Sequence, residues 1–234
     1  MATDGQTRLV LWDIDHTLIE SRGVGREIYE RVFPEVTGQR LRELATVHGR
    51  TELDIIHNTL RLHDLEPTEQ AVNQLAAALA DGYRAALNEL TTRGRVLPGA
   101  RQALDTLASE AGIHQSVLTG NTTEIARIKV EAFELDRYLD LSIGAYGDDH
   151  RERPELAGIA RKRAAHRLGN TIPAAHVVLI GDTPSDVDAA LTAGTQIIAV
   201  ATGKYTVDDL RTAGATTVFE CLTDIPHLRR AITG

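Results

Sequence analysis

Asp13 and Asp15 stand two residues apart where the apolar run Leu9-Val10-Leu11-Trp12 gives out, and Asp182 and Asp186 stand four apart behind a second run, Val177 to Ile180. A lone acidic pair in such a place is ordinarily a solvated loop or a helix cap. Two pairs behind two buried strands of one parallel sheet are different, because the four carboxylates then converge on one small volume. Carboxylates crowded this way repel one another and hold their protons more tightly. A hard divalent cation with oxygen ligands relieves the crowding, and Mg²⁺ suits a site that keeps waters and a phosphate oxygen. An acidic cluster of this kind, without a histidine–cysteine ligand set, points to phosphoryl chemistry.

The elements that must position these residues follow from hydrophobic periodicity. Arg8 to Ile14 predicts a short buried strand, followed by a long stretch without strand-like runs. Helices are predicted over Gly23 to Phe33, Leu41 to Val47, Thr51 to Leu62 and, as one long element, Thr68 to Leu90. In the last of these, Leu75, Leu79, Tyr83, Leu87 and Leu90 recur at helical steps. Beyond Pro98-Gly99 the rhythm changes to alternation. Predicted strands His114 to Leu118, Leu141 to Ala145 (weak), Val177 to Ile180, Ile197 to Val200 and Thr217 to Phe219 are interleaved with helices Ala100 to Leu107, Thr122 to Phe133, Glu155 to Leu168, Asp186 to Ala193 and Val207 to Ala213.

Such alternation implies an α/β fold, a doubly wound parallel sheet covered on both faces. The expected organisation is a core domain of residues 1–18 and 96–234, interrupted by an all-helical cap domain of residues 19–95. Ligands of open α/β sheets bind beyond the carboxyl ends of the strands. That edge carries Asp13-Ile14-Asp15, Thr119-Gly120-Asn121 and Gly181-Asp182-Thr183, and the helical insertion departs from the same edge.

Composition narrows the partners. The chain has 234 residues, 42% hydrophobic and 25% charged, with 25 basic against 33 acidic side chains and a net charge of −8. That sign argues against nucleic acid as a partner. No apolar run approaches the length of a membrane span, so no membrane association is expected. Cys221 is the single cysteine and cannot form an internal disulfide, which favours a cytoplasmic protein, monomer or homodimer.

Other phosphate and hydrolase signatures are absent. Gly203-Lys204 has Ile198 and Tyr205 where a P-loop needs other residues, and Gly23-Val24-Gly25 closes on Ile28 instead of glycine. No G-x-S-x-G elbow or H-E-x-x-H zinc motif occurs.

Asp13-Ile14-Asp15-His16-Thr17-Leu18 resembles the first motif of the haloacid dehalogenase-like superfamily. Leu118-Thr119-Gly120-Asn121 resembles its second, and Gly181-Asp182-Thr183-Pro184-Ser185-Asp186 its fourth. The motifs keep the family's order, and the insertion between the first two is similar to its small helical cap class. The resemblance covers essentially the whole chain and implies a phosphatase acting on a small phosphomonoester, with phosphoglycolate phosphatase as the nearest comparison. A phosphomutase of the same fold and a non-catalytic binding protein are the alternatives.

The resemblance assigns roles to individual residues. Asp13 is the implied nucleophile and Asp15 the implied general acid and base, while Thr119, with the amides of Gly120 and Asn121, binds the phosphoryl group. Asp13, Asp15, Asp182 and Asp186 are the implied Mg²⁺ site. The second aspartate favours a phosphate ester over a carbon–halogen or carbon–phosphorus bond. Asn121 with Glu124 is also the pattern of a helix-capping pair, and Thr183 to Asp186 with Pro184 that of a capped first turn.

Two positions depart from the pattern. Where the family carries a lysine as its third motif, this chain has Arg153-Pro154, with Arg151 the local competitor. Lys129, Lys162 and Lys204 do not fall at a predicted strand end. His16 replaces the usual glycine and is either a substrate contact or a surface side chain. In the insertion, Arg50 of Gly49-Arg50-Thr51 either binds a distal anionic group of the substrate or flanks a helix cap at Thr51. His48 and His57 are expected at the cap surface or in packing.

Overall fold

A computed structural model describes residues 7–234. Strand β1 (Arg8–Trp12) is an interior strand of a parallel sheet, with β4 (Ile113–Val117) on one side and β5 (Val177–Gly181) on the other. Strands β6 (Gln196–Val200) and β7 (Thr217–Phe219) continue beyond β5, giving the order β4-β1-β5-β6-β7. Alternation along β1 builds two cores. Val10 and Trp12 face one hydrophobic cluster while Leu9 and Leu11 face the other. Because β4 and β5 flank β1 on opposite sides, the chain reverses direction across the sheet there, which opens a crevice at the carboxyl end of β1.

Between β1 and β4 the chain leaves the sheet. A two-stranded antiparallel ribbon, β2 (Ile19–Glu20) with β3 (Arg95–Val96), brings the two ends of this excursion together. Arg95 Nε donates to Glu20 Oε2 at 2.8 Å across the ribbon. Four helices fill the excursion: α1 (Val24–Thr37), α2 (Glu52–Leu62), α3 (Glu69–Ala85) and α4 (Leu87–Arg93). The sheet is flanked by α5 (Ala100–Ala108), α6 (Thr123–Ala132), α7 (Arg153–Leu168), α8 (Pro184–Thr192), α9 (Val207–Thr212) and α10 (Ile225–Thr233). No helix among the described residues is long and apolar enough to cross a membrane.

The structure corrects three of the predicted elements and adds a terminal helix. Leu41 to Val47 is not helical. Its amides bond to α2 instead, Arg42 N to His63 Nε2 at 2.8 Å and Ala45 N to Thr59 Oγ1 at 3.2 Å. Leu41 and Leu44 pack as an extended strap on the core, so the apolar spacing marked a contact and not a helix. The long Thr68–Leu90 helix is two, α3 and α4, divided at the buried Ala86. Leu141 to Ala145 is a 3₁₀ turn, Leu141–Ile143, with a single bridge from Ala145 to Leu118. Asp140 accounts for this, since its side chain accepts from Ser142 N at 3.0 Å and closes the turn. The terminal helix α10 has no counterpart among the predicted elements. It starts on Asp224, whose side chain accepts from His227 N, with proline in its first turn.

Candidate active site

The two aspartates after β1 are set by the pleat. Asp13 N still donates to Ile180 O at 2.8 Å, so Asp13 lies in line with the sheet and is 6% exposed. Ile14 points into the core, and Asp15 comes up again on the open side. His16 then turns the chain back with a φ of 61°, a conformation that side chains other than glycine adopt at some cost. Thr119 follows β4, its amide held by Ala145 O at 3.1 Å, and Asp182 follows Gly181 at the end of β5. Asp186 lies one helical turn into α8. It forms a reciprocal cap there, with Thr183 N and Thr183 Oγ1 donating to its Oδ2 at 3.0 and 2.7 Å.

Three carboxylates converge. Oxygens of Asp13, Asp182 and Asp186 all lie within 4.8 Å of one another, and all three residues are buried. Arg153, the first residue of α7, threads between two of them. Its Nη2 is 3.0 Å from Asp13 Oδ1, and its Nε donates to Asp186 Oδ1 at 3.0 Å. Burial first of all pushes the Asp13 carboxyl up to about 7, with Arg153 opposing and Asp186 and Asp15 adding to the shift. Burial, with Asp13 and Asp186 next, pushes Asp182 up to about 9. One positive side chain therefore does not balance three acids.

A divalent cation fits this arrangement. Asp182 Oδ2 is buried and has no hydrogen-bond partner. A Cβ on Gly203 would come within 1.9 Å of that same oxygen, so the backbone passes here only because the side chain is hydrogen. An all-carboxylate donor set with an unsatisfied oxygen is the chemistry of a hard ion.

Asp15 is placed differently from the expected metal ligand. It is not one of the converging carboxylates. Instead Lys129 Nζ donates to both its oxygens, at 2.8 and 2.6 Å, and Asn121 Nδ2 to one of them at 2.8 Å. Burial works to raise the Asp15 carboxyl, yet the charge and hydrogen bonds of Lys129 and Asn121 outweigh it and hold it below the usual carboxylate range. Asn121 is a member of this network and not the cap of α6. The cap is Thr122, and Glu124 is engaged by Arg84 and Arg127.

Lys129 comes from α6, so looking for a lysine at strand ends could not find it. The available signal was its register. It falls on the buried face of α6 with Ile125, Ala126 and Ile128, where an unpaired lysine would not be tolerated. Lys162 and Lys204 are exposed. Arg151 turns to Asp54 at 3.1 Å, which leaves Arg153 beside the nucleophile candidate.

Asp15, Asn121 and Lys129 line one cavity of about 290 Å³, floored by Asp13, Thr119, Arg153 and Asp182 and roofed by the inserted helices. Thr119 Oγ1 accepts from Asn121 N at 3.2 Å and from Asn121 Nδ2 at 2.8 Å, so its own proton is free to donate into the cavity. His16 and His48 face each other at the rim, ring centroids 5.9 Å apart. Arg50 also lines the cavity, but its guanidinium is largely exposed and lies 3.6 Å from Asp54. His57 is not among the lining residues. The roof adds Tyr29, Glu52 and Tyr83, which the sequence motifs do not mark.

Gly120 is where roof and floor meet. Its carbonyl accepts from Glu52 N at 2.7 Å, and a Cβ there would lie 2.1 Å from Arg50 O. Gly120→Ala is expected to destabilise by about 1–3 kcal/mol, the cost of overpacking a rigid backbone contact. It should also reduce turnover by spreading the walls of the cavity. Thermal denaturation and steady-state kinetics on the same preparation check both effects.

A family profile described as haloacid dehalogenase-like hydrolase matches residues 10–191. Among curated relatives, "Putative pyrophosphatase PpaX" of Caldanaerobacter subterraneus subsp. tengcongensis is 32% identical over 91 residues, an alignment covering 39% of this chain and 39% of that protein. "Probable phosphatase IndB" of Dickeya dadantii is 29% identical over 179 residues, 71% of this chain and 75% of that protein. Among solved structures, a hydrolase from Pseudomonas syringae superposes with a TM-score of 0.72 at 22% identity, covering 98% of this chain and 100% of the other. That likeness shows the fold, a parallel five-stranded sheet flanked by helices with a helical insertion. With the profile running from β1 through α8, where Asp13, Asp182 and Asp186 lie, the chain belongs to the haloacid dehalogenase-like hydrolase family.

Proposed function

We propose that this chain is a Mg²⁺-dependent phosphatase that hydrolyses a small phosphomonoester through an aspartyl-phosphate. The observation that supports it best is the convergence of Asp13 with Arg153, Thr119 and the unpartnered oxygen of Asp182 in one cavity. An Asp13 oxygen attacks phosphorus, forming the Asp13 O–P bond as the ester O–P bond breaks. Asp15 gives its proton to the departing alkoxide, and the dianionic ester nearby favours the protonated form that this step needs. In the second half Asp15 takes a proton from water, which attacks phosphorus and releases Asp13 and inorganic phosphate.

Arg153 and the Thr119 hydroxyl hold the phosphoryl oxygens. Arg keeps the charge of the family's usual lysine and adds a second donor, which here ties it to Asp186 as well. Asp13 and Asp182, backed by Asp186, would hold the cation. When bound, it supplies positive charge against the phosphoryl oxygens and the crowded carboxylates. The inserted helices, residues 19–95, act as the cap that excludes bulk water during reaction.

The test is inorganic phosphate release from a chromogenic aryl phosphate, in magnesium and after chelation. Chelation should lower the rate by about a hundredfold, since the ion is worth several kcal/mol to such a transition state. Magnesium should also raise the melting temperature, because a ligand that binds only the folded state stabilises it. A rate indifferent to chelation would overturn the reading.

A further inference from the structure

The roof of the cavity carries a polar group that the phosphoryl chemistry does not use. Glu52, the first residue of α2, is 8% exposed and accepts a hydrogen bond from the Tyr29 hydroxyl. Both residues line the cavity with Tyr83 and Lys129, whose Nζ sits 5.0 Å from the centre of the Tyr83 ring. The Tyr29 phenol is pushed well above its ordinary range, by burial and then by Glu52, so the tyrosine keeps its proton and the carboxylate is the acceptor.

The charges of this recess do not cancel. Among the described residues Lys129 is the cation beside Glu52 and Tyr83, and both oxygens of Asp15 already engage it. Burial raises the Glu52 carboxyl, opposed by the Tyr29 hydrogen bond and the charge of Lys129, and as a carboxylate it brings a second negative charge to the recess. The arginines that line the rim are committed elsewhere, Arg26 to Glu30 at 3.0 Å and Arg50 to Asp54 at 3.6 Å, and both are largely exposed. A substrate whose phosphoryl group sits at Asp13 therefore points the rest of itself toward an excess of acceptors and negative charge.

We propose that Glu52, held by Tyr29, selects the leaving group: the substrate is a phosphate ester whose alcohol part carries hydroxyl or ammonium donors, and an ester with a carboxylate or a second phosphate there is rejected. A donor-bearing leaving group satisfies the buried carboxylate. An anionic one meets like charge in a site that water cannot screen. The requirement is set by chemistry more than by shape, since a polyol and an amino alcohol both meet it.

This inference rests on the phosphatase reading, and its experiment separates the two. The substrates are glycerol phosphate, ethanolamine phosphate, phosphoglycolate and an aryl phosphate, assayed by phosphate release with magnesium. The wild-type chain should favour the better of the first two over phosphoglycolate by about a hundredfold in kcat/KM. A comparable preference for both donor esters marks hydroxyl and ammonium as equivalent, and a preference for one identifies which donor the site takes. Glu52→Gln should shrink the ratio to about tenfold or less, while Glu52→Asp, which keeps the charge, should retain most of it. The wild-type ratio decides even where a buried substitution impairs folding.

Turnover of the aryl ester with phosphoglycolate preferred, or a ratio unmoved by Glu52→Gln in a folded variant, overturns the inference and leaves the phosphatase reading standing. Absence of turnover on every ester, the aryl one included, overturns both.

Discussion

Asp13→Asn lowers kcat by at least about ten-thousandfold on every phosphate ester, to the limit of detection, while the chain stays folded. The amide is nearly isosteric, so the cavity keeps its shape, but it cannot form the mixed anhydride on which turnover depends. Stability should not suffer. Asp13 is the acid that burial has pushed up to about 7, crowded against Asp182 and Asp186, and removing its charge relieves that repulsion. Arg153 loses one partner and keeps the other, since its Nε still donates to Asp186.

The expected melting temperature is therefore equal to or above that of the wild type. That separates loss of a nucleophile from loss of the fold. Phosphate release and a thermal melt measure the two effects, and intact-mass spectrometry of the wild type during turnover should show the phosphorylated chain. Residual activity within about tenfold of wild type in a folded Asp13→Asn protein would remove Asp13 from the mechanism.

The second large effect is predicted at a residue that no motif marks. Lys129→Met leaves Asp15 without the ammonium that holds both its oxygens. Removing one partner of a buried ion pair costs about 3–5 kcal/mol. Asp15 opens partly onto the cavity and keeps Asn121, so roughly 1–3 kcal/mol is expected here.

Turnover should discriminate between substrates. A general acid contributes about 10²–10⁴-fold where the leaving group is a poor one. Losing the ammonium by itself favours protonated Asp15, but it also frees the acid from its fixed position, so an alkyl phosphate should lose about a hundredfold or more in kcat. An aryl phosphate, whose leaving group departs without protonation, should lose about tenfold or less. The KM should move little, because the ammonium is spent on Asp15 and not on the phosphoryl group. A loss equal for alkyl and aryl esters would mean that Lys129 only supports the fold.

These expectations divide along what can be read locally. Each strong apolar run became a strand of the sheet within a residue or two, because burial on both faces demands such runs whatever lies around them. The failures came where an apolar spacing served a different purpose. Leu41 and Leu44 face the core from a strap whose amides are taken by His63 and Thr59, and periodicity alone does not distinguish that from a helix. The reciprocal cap of Thr183 and Asp186 was legible because it is made within four residues. The capping pattern of Asn121 with Glu124, open beside its phosphoryl-binding role, is not what the fold uses, because the side-chain partners of Asn121, Asp15 and Lys129, come from distant chain and a separate turn of helix.

From the sequence itself came the order of elements, the edge of the sheet where chemistry would sit and the candidates Asp13, Thr119, Asp182 and Asp186. Those follow from where apolar runs stop, a property of neighbouring residues. The partners came from tertiary structure. Lys129 meets Asp15 across 114 positions, Arg153 meets Asp186 across 33, and Tyr29 meets Glu52 across 23. Which acids converge and which is held by an amine is decided by how α6, α7 and the inserted helices pack over one end of the sheet. Charge pairs over distances of a few ångströms, and only the packed fold brings those side chains that close.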